Sequence, residues 1–265
     1  MSSQTNHTKG ARIVGRGVSK TYITRDRDVF ALQPIDFEIE SGEFVSLIGP
    51  SGCGKSTLML IVAGLLESSN GEIEVNGERL TKPLTDVGIV FQDHLLLDFR
   101  TAIENLLLQT QIRGMPKEAA REEARRLLRQ LGLEEAADRY PNQLSGGMRQ
   151  RVSLGRALIH DPSVMLMDEP FGALDAITRT QMRIDLERLW LEKQKTVLFI
   201  THSVEEAIGL SDRVIVMSPG PGKIVTEIKI GLSRPRPVEL GQDKAFVEYA
   251  DEIYEMFKQL GVLRF

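Results

Sequence analysis

Residues Gly49-Pro50-Ser51-Gly52-Cys53-Gly54-Lys55-Ser56-Thr57 fit the pattern G-x-x-x-x-G-K-[ST]. Glycines at this spacing let the backbone curl until several N–H groups point at one phosphate chain. A helix starting at Lys55 adds the positive end of its dipole. Lys55 then brings a point charge to the β- and γ-phosphates of a nucleotide such as ATP, and the Ser56 hydroxyl is suited to Mg²⁺. Cys53 is the only cysteine and has no histidine nearby in sequence to activate it. It is expected to be a small residue filling the loop, with nucleotide binding open to thiol reagents.

Three further stretches carry groups suited to phosphoryl transfer. Val164-Met165-Leu166-Met167-Asp168-Glu169-Pro170 is an apolar strand ending in two carboxylates. Asp168 is expected to hold Mg²⁺ directly or through water, and Glu169 to activate or orient the attacking water. His202 follows the apolar run Val197 to Ile200 and precedes the helix-like Val204 to Leu210. From that strand end it is expected to reach the γ-phosphate and help fix the water. Leu144-Ser145-Gly146-Gly147-Met148-Arg149-Gln150-Arg151 means little as a bare Ser-Gly-Gly turn but resembles the signature of ABC ATPases, which implies that Ser145 and the two glycines form a second anion-binding turn at a helix amino terminus.

The elements that position these groups follow from hydrophobic periodicity. Phe44 to Ile48 reads as a buried strand entering the glycine loop, with a helix from Lys55. Short apolar runs at Val87 to Phe91, Val164 to Met167, Thr196 to Ile200 and Arg213 to Met217 predict further strands, with helical patterns between most of them. That order predicts an α/β fold with parallel strands. Ala102 to Tyr140 reads as a helical insertion, because Lys117 to Leu131 is rich in Glu, Arg, Leu and Ala at helical spacing. Arg234-Pro235-Arg236-Pro237 blocks regular helix and is expected to form a solvated linker. An amphipathic helix from about Lys244 to Leu260 follows, expected to pack on its own domain.

Composition restricts the function class. The 265 residues are 42% hydrophobic and 26% charged, as in an ordinary folded domain. A net charge of −4 disfavours nucleic acid as a partner. A single cysteine suits a reducing compartment. Met1 to Arg12 is polar, without the apolar core of a secretory signal, and no run reaches the roughly 18 apolar residues of a membrane span.

The order Tyr22, glycine loop (Walker A), Gln92, Ser145-Gly146-Gly147 turn, acidic strand end (Walker B), Ala173-Leu174-Asp175 and His202 resembles that of ABC ATPases, over roughly Ile13 to Thr226. The resemblance implies a P-loop fold of the ABC type, with a mixed core sheet, an antiparallel β subdomain and an inserted helical subdomain at about 95–160. It implies an ATPase domain at 13–230 and a tail at 231–265. Tyr22 would stack on adenine, Gln92 would touch Mg²⁺ or water and link to a permease, and Asp175 would couple two sites. Asp175 is also a good helix cap in its own right. Two subunits, as a homodimer or pseudo-dimer, would face head to tail, each ATP lying between one Walker A loop and the other subunit's Ser145 turn. Two departures stand out: Met148 where many relatives have Gln, and Gly155 where Ala is usual, at a helix-interior cost of about 1 kcal/mol.

Within that family, Phe91 to Asn105, Leu97-Asp98-Phe99-Arg100-Thr101 and Ser218-Pro219-Gly220-Pro221-Gly222-Lys223-Ile224 look like importers of the nitrate, sulfonate and taurine group. Such a subunit works from the cytoplasmic face of the membrane, bound peripherally to permease subunits, while a solute-binding protein recognises the cargo. Leu95, Leu96, Leu97 and Phe99 are expected to form part of a groove for a permease helix. The alternative, a soluble ABC ATPase of nucleic-acid repair or translation, requires a long inserted coiled coil or a second ATPase domain, and the sequence has neither.

Overall fold

The computed structural model describes residues 10–25 and 27–263. Most of the polar Met1 to Arg12 stretch therefore lies outside the described residues. The described residues begin with two long strands, β1 (Ile13–Tyr22) and β2 (Val29–Ile39). Next, β3 (Phe44–Ile48) runs into α1 (Lys55–Val62), and β4 (Asn70–Val75), β5 (Glu78–Arg79) and β6 (Val87–Val90) follow. Three helices come together in sequence: α2 (Ala102–Ile112), α3 (Lys117–Gln130) and α4 (Gly146–Leu158). Then β7 (Val164–Asp168), α5 (Ala176–Lys193), β8 (Thr196–Thr201), α6 (Val204–Leu210), β9 (Arg213–Met217), β10 (Ile224–Lys229) and α7 (Lys244–Gln259) complete it.

The strands form two sheets. One is antiparallel, in the order β2-β1-β4-β5; the other runs β10-β9-β3-β8-β7-β6 and is parallel except for the edge strand β10. Central strands covered on both faces read as continuous apolar runs, and side chains alternate between the faces. Thus Leu166 and Leu198 pack with Leu58, Met59 and Val62 of α1 and with Ile13 and Ile39 of the antiparallel sheet. Their neighbours Met167 and Phe199 pack on the opposite face with Leu106, Val152, Met182 and Leu186 of the helices. This second cluster is continuous from Ala120 and Leu127 on α3 to the central sheet. Among the described residues no helix is long and apolar enough to cross a membrane.

Gly155 has a packing reason. A Cβ there would sit 3.1 Å from Cδ2 of Leu106 and 3.1 Å from Cδ1 of Leu131, so the bare backbone lets α4 approach α2 closely. The lost helix propensity is offset by contact.

The tail overturns the expectation of a solvated linker. Arg236 is 4% exposed, and Arg234 pairs with Glu187 at 3.0 Å and Asp212 at 2.9 Å while its guanidinium lies 4.3 Å from the Trp190 ring centre. Alternating prolines keep the segment out of regular helix, and acidic partners on α5 and before β9 meet its arginines. Burial pushes the Arg236 guanidinium down to about 10, the nearby positive Arg234 acting in the same sense. Beyond it, Phe246, Ile253 and Phe257 of α7 pack onto α6, β9 and β10, as expected of an amphipathic helix.

Candidate functional site

Register fixes where the chemistry gathers. Val90 pairs with Met167, Asp168 with Ile200, and Ile48 with Thr201, all in parallel. Gln92, Asp168, Glu169, His202 and Gly49 therefore leave the same edge of four adjacent strands, the carboxyl edge where open α/β sheets bind ligands.

The glycine loop between β3 and α1 depends on left-handed backbone at Gly52 (φ 76°) and Gly54 (φ 99°). A Cβ at Gly54 would also meet Cδ2 of Leu32 at 2.6 Å and the Ala31 carbonyl oxygen at 2.8 Å. Cys53 is fully buried, and desolvation pushes its thiol up although Lys55 pulls the other way, so it fills the loop and is shielded from thiol reagents. Lys55 is 5% exposed, and its Nζ donates to the carbonyl oxygens of Gly49 at 2.9 Å and Pro50 at 3.0 Å. The loop's carbonyls hold the ammonium in the concavity where a phosphate chain would lie, since a buried cation needs acceptors.

Asp168 fits a cation. Its Oδ1 is buried without a hydrogen-bond partner, and desolvation raises the carboxyl, aided by the charge of Glu169, while the Ser56 hydroxyl and Lys55 act oppositely. An orphaned carboxylate oxygen beside a serine hydroxyl is a donor set that Mg²⁺ would satisfy. Among the described residues no group of three or more His, Cys, Asp or Glu could hold a metal alone, so phosphate and water oxygens would complete the shell.

Glu169 sits at φ 45°, an uncommon conformation for a non-glycine residue that costs about 1–3 kcal/mol. Its N–H donates to the Ile200 carbonyl at 2.9 Å, and its Oε2 lies 3.3 Å from Nδ1 of His202. The two side chains thus face one space above the β7–β8 pair, with His202 exposed. Tyr22, at the end of β1, places its hydroxyl 3.3 Å from Oγ1 of Thr57, with Lys20 Nζ 5.3 Å from the ring centre. Gln92 is exposed just beyond β6.

Ser145, exposed, caps α4 by accepting from the Met148 N–H at 3.3 Å. A Cβ at Gly147 would lie 2.6 Å from Cγ2 of Thr178, whereas Gly146 faces open space. Asp175 caps α5, accepting from the Thr178 N–H at 3.1 Å and from its hydroxyl at 2.7 Å, and these bonds lower its carboxyl. Among the described residues no hydrogen bond or ion pair joins Ser145, Gly146 or Gly147 to the glycine loop.

Two positioning groups escaped the sequence. Thr201 donates to Glu206 at 2.5 Å, and Glu206 lies 3.6 Å from Arg179, tying α6 to α5 beside His202. His94 meets Gln150 of α4, and Arg156 donates to the carbonyl oxygens of His94 and Leu95 at 2.9 and 2.6 Å, holding the loop after Gln92. No local pattern marks these partners; only the polar residues in otherwise apolar helix faces could have hinted at them. A groove beside β6 is lined by Leu65, Phe91, Leu108, Ile112, Arg156 and His160. Leu95 and Phe99 are exposed, whereas Leu96 packs partly into the core.

A family model described as ABC transporter matches residues 32–172. An aliphatic sulfonates import ATP-binding protein of Bacillus cereus is 42% identical over 248 residues, covering 94% of this chain and 96% of that one. A taurine import ATP-binding protein of Roseobacter denitrificans is 46% identical over 202 residues, or 76% of this chain and 75% of the other. Among solved structures, a dimeric bacterial ABC transporter cassette aligns with TM-score 0.75 at 35% identity, covering 83% of this chain and all of that one. A post-hydrolysis dimer of the same cassette, bound to ADP and Pi, aligns with TM-score 0.75 at 33% identity over the same share of each chain.

Proposed function

The chain belongs to the ABC transporter family, and from that premise we propose that it is the ATP-hydrolysing subunit of an importer for a small solute, nitrate, a sulfonate, taurine or a related compound. The observation that carries the reading is the convergence of Lys55, Asp168, Glu169 and His202 on one sheet edge, with Glu169 Oε2 3.3 Å from His202 Nδ1. A nucleic-acid role has no support in a net charge of −4.

In this reading Gly49, Pro50, Ser51, Gly52, Cys53, Gly54, Lys55, Ser56 and Thr57 cradle the phosphates, and Tyr22 stacks on the base. Ser56, Asp168 and Gln92 are the residues that would hold Mg²⁺, which when bound neutralises charge building on the phosphate oxygens. Glu169 orients the attacking water and accepts its proton, while His202 fixes the γ-phosphate side of the same space. Ser145, Gly146 and Gly147 serve the ATP of a second subunit, and Asp175 communicates between the sites. The aligned cassettes are dimers, which supports this arrangement.

The proposed organisation is one ATPase domain at 13–230, with a helical subdomain at about 95–160, and a C-terminal tail at 231–265. Gln92 and the exposed Leu95 and Phe99 face a separate permease at the cytoplasmic side of the membrane, and a solute-binding protein selects the cargo. The test is ATP hydrolysis by the chain assembled with its permease in vesicles. Hydrolysis that rises when a sulfonate-loaded binding protein is supplied supports the reading. A rate indifferent to permease, binding protein and solute would refute it.

A further inference from the structure

The sequence Arg234-Pro235-Arg236-Pro237 takes its partners from α5, from α6 and from Ser211 and Asp212 just beyond α6, and these two helices follow the strand ends that carry Asp168 and His202. Arg183 of α5 donates to the carbonyl oxygens of Pro237 at 3.1 Å and Val238 at 2.9 Å. Glu187, one helical turn on, accepts from the Arg236 N–H at 3.1 Å and pairs with Arg234 at 3.0 Å. Trp190, another turn on, lies under the Arg234 guanidinium. The segment thus runs antiparallel along α5, towards the end that Asp175 caps.

On its other side the same segment grips α6. The Arg236 guanidinium donates to the carbonyl oxygens of Ile208 and Ser211, and Arg234 to that of Leu210 and to Asp212. These carbonyls belong to the last turn of α6, where orphan acceptors and the negative end of the dipole favour a cation. α6 is only seven residues long and starts immediately after His202 and its cap Ser203. A short helix moves as a rod, so holding one end fixes the other.

We propose that the tail segment 234–238 is a strap that positions His202 for hydrolysis, clamping the far end of α6 to α5 while Arg179, Glu206 and Thr201 tie the near end. Arg234 and Arg236 are positioning residues, acting through α6 on the histidine. Their burial makes the clamp rigid, because a buried guanidinium gives up its acceptors only at the cost of being left unpaired. The inference rests on the assignment of His202 to the γ-phosphate.

The experiment compares Arg236→Met, Arg236→Gln and His202→Ala, singly and combined, in steady-state ATP hydrolysis well below each melting temperature. Each Arg236 variant is expected to lose at least about tenfold in kcat with KM for ATP within about twofold, the pattern of a misplaced group that acts in the transition state. In the His202→Ala background, replacing Arg236 is expected to lower kcat no further, because both changes remove one function. If Arg236→Met is unfolded, Arg236→Gln decides, since it keeps a polar group in the buried site but is too short to bridge the carbonyl oxygens of Ile208 and Ser211 as the guanidinium does. A folded Arg236→Gln protein hydrolysing within twofold of wild type would overturn the strap, as would losses that multiply with His202→Ala. Near-normal hydrolysis by His202→Ala alone would instead refute the histidine assignment beneath it.

Discussion

His94 Nδ1 lies 2.5 Å from Gln150 Oε1, joining the loop that follows Gln92 to the helix that starts at Ser145. Gln150 is 1% exposed and its Nε2 has no partner, so its one bond to His94 carries its whole hydrogen-bond satisfaction. Removing the ring by His94→Ala is expected to cost about 1–3 kcal/mol, the penalty for an unsatisfied buried amide. Gln150→Leu with His94→Leu should cost less than the two single changes summed. Denaturant unfolding of the four proteins measures that coupling.

Lys55→Ala is expected to reduce hydrolysis by at least about 10²-fold, as loss of a preorganised phosphate-binding charge does elsewhere. Because Lys55 also ties the carbonyls of Gly49 and Pro50, the nucleotide-free loop should loosen as well. Amide exchange at Ser51 to Gly54 should speed up without nucleotide. Unchanged exchange would show that the loop holds its shape without the lysine.

Asp168 gives a pH prediction with a definite sign. Its carboxyl is raised by burial, so the folded state holds that proton more tightly than the unfolded chain. The stabilising contribution is fully present below the unfolded value and is lost as pH rises through the higher folded value. Asp168→Asn should therefore melt higher than wild type near pH 7 without nucleotide, by about 2–4 °C for each kcal/mol relieved in a protein of this size. The advantage should vanish near pH 3, and the variant should not hydrolyse ATP. Melting curves at both pH values test the sign.

Glu169→Gln keeps shape but removes the proton acceptor. ATP should still bind, and two subunits should stay closed over it, giving an ATP-dependent dimer with turnover slowed at least about 10²-fold. Adding Ser145→Arg should return monomers by obstructing the shared surface. Size-exclusion chromatography with ATP and with ADP distinguishes the outcomes.

Phe99→Asp should weaken permease binding and spare folding, because Phe99 is 74% exposed. Leu96→Asp should instead destabilise the chain, since that side chain packs against the buried helical cluster. Co-purification with the permease and thermal melting separate the two effects.

Much of the site was legible because its signals are local. The glycine loop, Asp168-Glu169 at a strand end and His202 before a helix are contiguous patterns, and α1, α6 and α7 begin where the local sequence pattern places them. The parallel order of the core strands also followed from alternation of short apolar runs with helices. Gly155 looked like a mere departure until its neighbours Leu106 and Leu131 were in place.

The sequence by itself determined which groups are available and which stand next to one another along the chain: a lysine after a glycine turn, a pair of acids, a serine before two glycines. Only the tertiary structure decided which of those groups are buried and with whom. Lys55 turned inward because Gly49 and Pro50 offered acceptors, and Arg234 and Arg236 left solvent because Glu187 and Asp212 met them. An arginine between prolines reads as solvated until a distant carboxylate is placed beside it. The free energy of a charge depends on partners that chain order does not name.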